Sequence, residues 1–265
     1  MNATTIADAG FLTIKGRDAL KFLQGYTTND LDTLGPDGGL GAMCNLKGRM
    51  LTSFRIAAIE DGFMLRMHRP LVPKTIDFLS RYIVFSKAAM CDVSDDYVAV
   101  GIDSDVRPSA DAFGKTILSA IGLDNLFEAW LPAAASSKVS IGHDETEWAF
   151  AEIAAGIAWV HEATTEAFLP QMFGYAEIGG ISFDKGCYLG QEIVARMEYR
   201  GELKRHLRHA TTAGHASVGD EITDGGKGAG SVVASARRDN CTHLLAVLRD
   251  DAGALTVHGE SVDLT

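Results

Sequence analysis

The pattern of the sequence changes at Gly201, and this change constrains the fold more than any other feature. After it come four short segments rich in β-branched and apolar residues, separated by turns rich in Gly, Asp and Asn. Short strands at this spacing indicate a small all-β domain, so we predict a C-terminal β-barrel over residues 201–265 and a separate body over residues 1–200. The four strand candidates are "LKRHLRHATT", "SVVASARR", "THLLAVLR" and "ALTVHGESVDL".

The body mixes strand and helix patterns. "RMLTSFRIAAI" and "FMLRMH" flank the turn "EDG", which predicts a β-hairpin, and "YVAVGI" predicts a buried strand. "RDALKFLQGY" and "VPKTIDFLSRYIVF" carry apolar residues at helical spacing, and Thr28 or Asn29 is expected to cap a further helix. Residues 103–145 give only loops and weak helices. The pattern as a whole predicts an α+β body followed by the small barrel.

Composition favours a globular cytoplasmic protein. The chain of 265 residues has a formal net charge of −11, which disfavours direct binding to nucleic acid. Its four cysteines include no CxxC pair, which argues against a disulfide framework and a zinc ribbon, so we predict no metal site. The apolar runs are too short to span a bilayer, and the N-terminus lacks the signal-peptide pattern. We therefore expect a cytoplasmic protein that does not bind membranes. The sequence does not indicate an oligomeric state, and a monomer is the default expectation.

The segment "KGCYLGQE" at 185–192 combines the features of a reactive site. Gly186 permits a tight bend, and Gly190 can open a helix that runs through "QEIVARMEY". Cys187 then lies just before a helix N-terminus with Lys185 beside it, and both features favour a thiolate. The alternative is that the cysteine is a small apolar side chain that packs a turn.

Charged residues around this segment leave further possibilities open. Between Asp184 and His209 there are six Lys or Arg against four Asp or Glu, which fits either a solvated helix and strand or a basic rim for an anionic ligand. Glu192 falls in the first helical turn, where the dipole favours it, and it can also hold an amine or a pterin-type N–H. Eight histidines could partner the thiol, and no spacing selects one.

The longer segment "KGCYLGQEIVARMEYRGELKR" resembles the signature of the YgfZ family of folate-binding iron–sulfur cluster assembly or repair proteins. Segments elsewhere support the resemblance, which spans most of the chain: "FLQGYTTNDL", "CNLKGRMLTSFRI" and "FLPQMFGYAEIGGISF". The signature residues that match are Lys185, Gly186, Cys187, Tyr188, Gly190, Gln191 and Glu192.

The resemblance implies a fold. The family is related to the glycine-cleavage T-protein, an aminomethyltransferase that uses tetrahydrofolate, which implies α+β subdomains around a central channel and a small C-terminal β-barrel. In the T-protein the segment similar to "GRMLTSF" carries an acidic pair that positions the reacting amine of the folate. Thr52 and Ser53 stand at those positions here and cannot act as carboxylates. Because a positioned acid or base typically contributes about 10²- to 10⁴-fold, the resemblance argues against aminomethyl transfer.

The resemblance also implies a function. It indicates a folate-binding accessory protein for assembly or repair of [4Fe–4S] clusters in client enzymes, including radical enzymes that thiomethylate tRNA, so any effect on tRNA is indirect. Cys187 is the expected functional thiol, with Lys185, Gln191 and Glu192 around it, and its chemistry can be metal ligation, attack on a persulfide or a mixed disulfide. A cluster usually takes four protein ligands, so the remaining ligands must come from elsewhere, such as a client or an assembly protein.

Tetrahydrofolate or a derivative is the cofactor that the family implies. An aromatic side chain, a polar group facing the pterin and a basic site for the glutamate tail are needed. Trp148, Asn45 and Lys47 are the candidates in family-like segments, with Arg196 or Arg200 for the tail. Alternatively, Trp148 belongs to the core and Asn45 only caps a turn.

Two further functions remain open. One is a tetrahydrofolate-dependent one-carbon transferase with a carboxylate placed elsewhere in the chain. The other is a non-catalytic scaffold in which "KGCYLGQE" shapes a docking surface. The scaffold predicts that Cys187→Ser is silent, whereas changes at Gly186 or Gly190 are not.

Overall fold

The computed structural model describes residues 2–108, 117–120, 125–138 and 145–265. Strands dominate these residues and form three antiparallel sheets. The α-helices of the described residues are α1 (Ala19–Gln24), α2 (Leu71–Ile83), α3 (Glu145–Ala154) and α4 (Gln191–Arg200). The strands are β1 (Asn2–Thr5), β2 (Ala9–Lys15), β3 (Gly39–Cys44), β4 (Met50–Ile59), β5 (Gly62–His68), β6 (Ala89–Asp92), β7 (Tyr97–Asp103), β8 (Ile117–Ala120), β9 (Leu126–Pro132), β10 (Arg205–Thr212), β11 (Glu221–Asp224), β12 (Lys227–Arg238), β13 (Cys241–Arg249), β14 (Leu255–Val257), β15 (Glu260–Ser261) and β16 (Asp263–Leu264).

The first sheet has the strand order β3-β4-β5-β2-β6. It contains the hairpin expected around "EDG", which is confirmed: Asp61 takes a positive φ of 62° between β4 and β5. Helix α2 packs on this sheet through Leu71, Val72 and Leu79, which repeat at helical spacing and are buried. The helix expected near Thr28 or Asn29 is only a short 3₁₀ turn, and Asp30 caps it by accepting from the N–H of Asp32.

The second sheet has the order β1-β7-β9-β8, with β7 at its centre as expected for a buried strand. Strand β9 corrects the expectation of loops and weak helices over 103–145; residues 109–116, 121–124 and 139–144 lie outside the described residues. Trp148 of α3 lies directly on β7. A Cβ at Gly101 would come within 2.1 Å of the Trp148 ring, so this contact requires glycine.

The third sheet contains the strands after Gly201 in the order β15-β14-β11-β12-β13-β10-β16, and it is nearly closed into a barrel. Strand β12 shows how it fits the rest of the fold. Val232 faces the sheet's own core, whereas the next residue, Val233, joins the main core of the body. Helix α3 packs on this outer face of β12. The division of the chain at residues 200 and 201 stays a prediction.

None of the helices in the described ranges combines the length and the apolar character needed to cross a membrane.

Candidate functional site

The loop before α4 is fixed in position by Gly190. This residue has φ of 85°, which glycine adopts without strain, and it forms the N-cap of α4. A Cβ at this position would lie 2.5 Å from the carbonyl oxygen of Asn45 and 2.9 Å from Cβ of Cys44. The absence of a side chain therefore allows the motif loop to lie against the turn between β3 and β4.

Lys185 anchors the other end of the loop. Its side chain is buried, and Nζ donates to the carbonyl oxygens of Thr27 at 2.7 Å and Asn29 at 2.6 Å. Burial lowers the pKa of Lys185 to about 8, although the carboxylates of Asp30 and Asp32 act in the opposite direction. These hydrogen bonds from the Lys185 ammonium group fix the motif loop to the backbone of residues 27–29.

Tyr188 is the third anchor. Its ring is buried, and the Nζ atom of Lys185 lies 5.3 Å from the ring centroid. The Tyr188 hydroxyl is buried without a hydrogen-bond partner among the described residues, and burial raises its pKa above the usual value. Leu189 adds a backbone hydrogen bond to the carbonyl of Gly25 at 3.0 Å. The residues on both sides of Cys187 are therefore held on the fold.

Cys187 is exposed between these anchors and forms no disulfide. It lines a cleft, the thiol cleft, together with Phe22, Tyr26, Tyr82 and Phe85. This exposure separates it from Cys44, which is buried and has its pKa raised to about 12 by desolvation.

The two polar residues that follow the loop lie at the start of α4. Gln191 is half-buried, and its N–H donates to the carbonyl of Tyr188 at 3.1 Å. Glu192 is exposed in the first turn, as its position in the sequence predicts. Gly186, by contrast, does not have a positive φ, and a Cβ added there would meet no heavy atom within 4 Å. An alanine would therefore fit at Gly186, which weakens its use as a test of the scaffold hypothesis.

Asn45 and Lys47 lie in the turn between β3 and β4. The Oδ1 atom of Asn45 accepts from the N–H groups of Lys47 and Arg49, and its Nδ2 atom donates to Glu166 at 2.9 Å. Asn45 thus caps the turn, which is the alternative to a folate contact that the sequence leaves open. Both residues line a second cleft that shares Tyr82 and Leu189 with the thiol cleft.

Trp148 belongs to a different place, a central cavity of about 220 Å³. Its side chain is part of the main core and is 5% exposed, while part of it faces the cavity. Arg196 and Arg200 are exposed on α4, and within the described chain neither lines this cavity or the two clefts. The candidate folate contacts are therefore not brought together around one cavity. The cavity is lined by, among others, Arg66, His68, Trp148, Glu152, Trp159 and His161.

A buried charged group forms one wall of the central cavity. Arg66 pairs with Glu128 across the two sheets, with Nε 3.0 Å from Oε2, and both side chains are buried. The guanidinium also lies 4.1 Å from the centroid of the Trp159 ring. Glu152 accepts from Trp159 Nε1 at 2.8 Å, and burial raises the pKa of Glu152 to about 7 even though Arg66 opposes the shift. This carboxyl group can therefore give or take a proton near neutral pH.

Two histidines complete the cavity wall. The rings of His68 and His161 are 4.3 Å apart between centroids. Burial lowers the pKa of His161 to about 4, helped by the neighbouring His68, and burial also lowers the pKa of His68. Burial therefore favours the neutral form of both rings. Among the residues that the structure describes, no group of three or more His, Cys, Asp or Glu side chains is arranged to hold a metal ion.

Thr52 and Ser53 are buried in β4, and their hydroxyl groups are engaged within the protein. The Oγ atom of Ser53 accepts from the N–H of Val160 at 2.8 Å, and the Thr52 hydroxyl is 3.3 Å from the carbonyl of Ser53. Neither position offers a carboxylate.

Apart from Trp148, the residues of the central cavity were not predicted from the sequence. Arg66, Glu152 and Trp159 come from distant segments, so no local motif joins them. One signal was present: Arg66 stands inside the apolar strand "FMLRMH", and arginine is rarely buried unless it is paired.

Comparison with known proteins supports the fold and identifies the family. No family model matches the chain. The tRNA-modifying protein YgfZ of Edwardsiella ictaluri (strain 93-146) is 31% identical, covering 93% of this chain and 84% of that protein. The protein of the same name from Yersinia pestis (strain Pestoides F) is 30% identical, covering 96% and 86%.

Among solved structures, the glycine cleavage system aminomethyltransferase T from Bartonella henselae is similar. The TM-score is 0.73 at 12% sequence identity, covering 99% of this chain and 84% of that one. This likeness confirms the predicted aminomethyltransferase-like fold. The identities of about 30% over nearly the whole length show, in addition, that the chain belongs to the YgfZ family.

Proposed function

We propose that this protein is a folate-binding accessory protein for assembly or repair of [4Fe–4S] clusters in client enzymes, and that it supports tRNA thiomethylation indirectly. The observation that carries the proposal is the exposed thiol of Cys187 on a loop held by buried neighbours, Lys185 and Tyr188. A cysteine that only packs a turn would be buried, and Cys187 differs from the equally exposed Cys91 in that it lines the thiol cleft. Its chemistry at the thiol is ligation, persulfide attack or a mixed disulfide.

The cluster is the cargo in this proposal, and this chain supplies only one thiol to it. Cys44 is buried, which raises the pKa of its thiol to about 12. Cys91 and Cys241 do not line the thiol cleft, so Cys187 is the thiol that the described residues offer there. Because a cluster usually takes four protein ligands, the client or an assembly protein must supply the others. Cys187 then acts on a site that is formed jointly with a partner.

The central cavity fits the pterin ring of a tetrahydrofolate. Trp148 and Trp159 offer aromatic surfaces, and the Glu152 carboxyl group can accept from the N–H edge of the ring. When bound, the folate supplies a one-carbon carrier and a ring that is readily oxidised. The chain's own residues orient the ring and keep water from it. Lys47, Arg196 and Arg200, the candidates for the glutamate tail, and Asn45, the candidate for a polar contact, do not line this cavity and stay predictions of the family resemblance.

A second function, one-carbon transfer with tetrahydrofolate, is favoured by one observation. Glu152 is a carboxyl group with a pKa of about 7 inside the central cavity, suitable for a general base. Thr52 and Ser53 argue against it, since no carboxylate stands there. Turnover of an aminomethyl donor by the purified protein, abolished in Glu152→Gln, would establish this second function.

The proposed function is tested by complementation. The activity of a [4Fe–4S] enzyme is measured under oxidative stress in cells lacking the gene and carrying wild type, Cys187→Ser or Cys91→Ser. Cys91 is the matched control because it is also exposed and free. We expect wild type and Cys91→Ser to restore the activity and Cys187→Ser to fail. If all three restore it equally, the thiol is not required, the motif has only a structural role, and the folate site becomes the place to look for the function.

Two properties of the protein accompany this proposal. We place it in the cytoplasm, where its clients would be assembled, and we propose that it acts as a monomer with no direct contact to nucleic acid or membrane. Sedimentation of the purified chain and fractionation of cells test these two properties.

A further inference from the structure

Large apolar side chains are exposed to solvent on the surface beside the thiol cleft. Phe85 is 95% exposed, and both Phe85 and Tyr82 line the cleft that contains Cys187. Leu46, 78% exposed, lines the neighbouring cleft that shares Tyr82. Exposed apolar side chains are ordinary when they are scattered, but a contiguous group around a cleft marks an interaction surface.

The segment that carries Phe85 is held in place, so its exposure is built into the fold. The N–H of Ser86 donates to the carbonyl of Ile83 at 2.8 Å, and the N–H of Lys87 donates to Asp18 Oδ2 at 2.7 Å. The Tyr82 ring packs against Tyr26 at 5.1 Å. A rigid aromatic side chain loses little conformational entropy when a partner covers it, which is the property of an interface anchor.

Basic residues are concentrated in the two segments that flank the thiol cleft, here called its basic rim, although the chain is acidic overall. Of these residues, Lys21 lines the cleft itself, beside Asp18. Residues 15–21 and 81–87, which meet at the Lys87–Asp18 hydrogen bond, carry five basic side chains and one acidic side chain. The whole chain has 24 Lys or Arg against 35 Asp or Glu. A local reversal of this kind attracts an acidic partner. The five basic residues, all exposed, are Lys15, Arg17, Lys21, Arg81 and Lys87.

We propose that this surface, the thiol cleft with Phe85 and its basic rim, is where an iron–sulfur client protein docks. The inference rests on the proposed function for the class of partner, and it adds the chemistry of contact: an apolar segment of the client bordered by acidic residues. Docking is non-covalent and brings the client's own cluster ligands to Cys187. The anchor side chain is Phe85, and Lys21 represents the rim.

Other occupants fit the surface less well. Nucleic acid binds mainly through phosphate contacts along an extended basic surface, whereas the basic side chains here border an apolar cleft whose Phe85 and Leu46 are better covered by an apolar protein segment. A second copy of the chain, in a two-fold arrangement, would place one basic rim against the same basic rim and repel it. A partner protein of opposite charge avoids both problems.

The test measures binding of the full chain to the cluster-free form of the [4Fe–4S] enzyme used as reporter in the complementation. Phe85→Ser is compared with Val106→Ser, a control at 74% exposure that lines neither cleft. Lys21→Glu is compared with Lys227→Glu, an exposed lysine of the barrel sheet. Because these side chains are exposed, the variants should fold, and circular dichroism checks this.

We expect Phe85→Ser to weaken binding about thirtyfold, the effect of losing an interface anchor, and Val106→Ser to change it by less than about twofold. Lys21→Glu should weaken binding most at low salt, and Lys227→Glu should not. Cys187→Ser should bind like wild type.

Equal binding by Phe85→Ser and Val106→Ser would overturn the docking surface, as would absence of wild-type binding while complementation succeeds. The proposed docking surface is also overturned if Phe85→Ser changes self-association or tRNA binding but leaves binding to the enzyme unaltered. Failure of wild type to restore the reporter in cells is a different result, since it refutes the proposed function rather than the place of docking.

Discussion

Replacing Gly190 by alanine should destabilise the protein strongly. The left-handed conformation at φ of 85° costs a residue with a side chain about 1–2 kcal/mol. The new Cβ would also lie 2.5 Å from the carbonyl oxygen of Asn45, a backbone atom that cannot rotate away. Overpacking of this kind costs about 1–3 kcal/mol. Together we expect Gly190→Ala to lower the free energy of unfolding by about 2–5 kcal/mol.

Gly186→Ala is the matched control, because it makes the same chemical change four residues earlier where nothing lies within 4 Å of a Cβ. Its effect should stay within about 0.5 kcal/mol, as at ordinary surface positions. Urea unfolding measures both variants, and with a slope of about 3 kcal/mol per molar the midpoint of Gly190→Ala should fall by about 1 M. If the two variants unfold within about 0.5 kcal/mol of each other, the motif loop does not lie against the Asn45 turn as described.

Three further predictions concern the central cavity. Glu152→Gln should remove a pH dependence of the free energy of unfolding. Because the pKa of Glu152 in the folded protein, about 7, exceeds the usual 4.5, wild type loses stability relative to this variant as pH rises from about 4.5 to 7. Thermal unfolding of both proteins across that pH range measures the difference. Arg66→Met should destabilise the protein by about 3–5 kcal/mol, because the buried Glu128 loses the cation that is hydrogen-bonded to it. Arg66→Lys should recover part of the loss in urea unfolding. Trp159→Leu should weaken binding of tetrahydrofolate at least about tenfold in a fluorescence titration, whereas the control Lys227→Ala, on the barrel sheet outside the cavity, should leave it unaltered. Equal affinities for wild type and Trp159→Leu would place the pterin elsewhere.

Local patterns predicted the elements that depend on local physics. The hairpin of β4 and β5 follows from its Asp-Gly turn, and α2 follows from its apolar spacing. Strand β9 was missed because it carries Glu128, a charge that the sequence pattern assigns to the surface. Its burial is possible because Arg66, 62 residues earlier, pairs with it, and because the charge of Arg55 and the indole N–H of Trp130 also stabilise the carboxylate. No local window of the sequence contains both Glu128 and Arg66.

The capping prediction near Thr28 failed for a similar reason. Thr28 satisfies distant groups instead: its hydroxyl donates to the carbonyl of Gly180 at 2.6 Å and accepts from the N–H of Ala42 at 2.9 Å. Asp30 is left to cap the short turn. A side chain that can cap a helix can equally bond to remote backbone, and only the tertiary structure decides between the two.

One part of the candidate site could be predicted from a local sequence motif, and the other part could not. The sequence motif indicates Cys187 because glycines and a lysine surround it, and the structure gives this cysteine an exposed position. The residues of the central cavity could not be assembled from sequence, since Arg66, Glu152 and Trp159 meet only after two sheets and a helix have packed. Trp148 illustrates both roles, because the same side chain covers β7 at Gly101 and faces the cavity.

The structure also sharpens the choice between a reactive thiol and a scaffold. Within the motif, Lys185, Tyr188 and Gly190 make the contacts that hold the loop, so changing any of them alters its shape and its chemistry together. Cys187 makes no such contact with the core, since its side chain is exposed, and serine at this position keeps the backbone anchors intact. Loss of function in Cys187→Ser can therefore be assigned to the sulfur itself. Gly186→Ala cannot be used in the same way to test for a scaffold, because this variant is expected to be silent whether the motif is a reactive site or a scaffold.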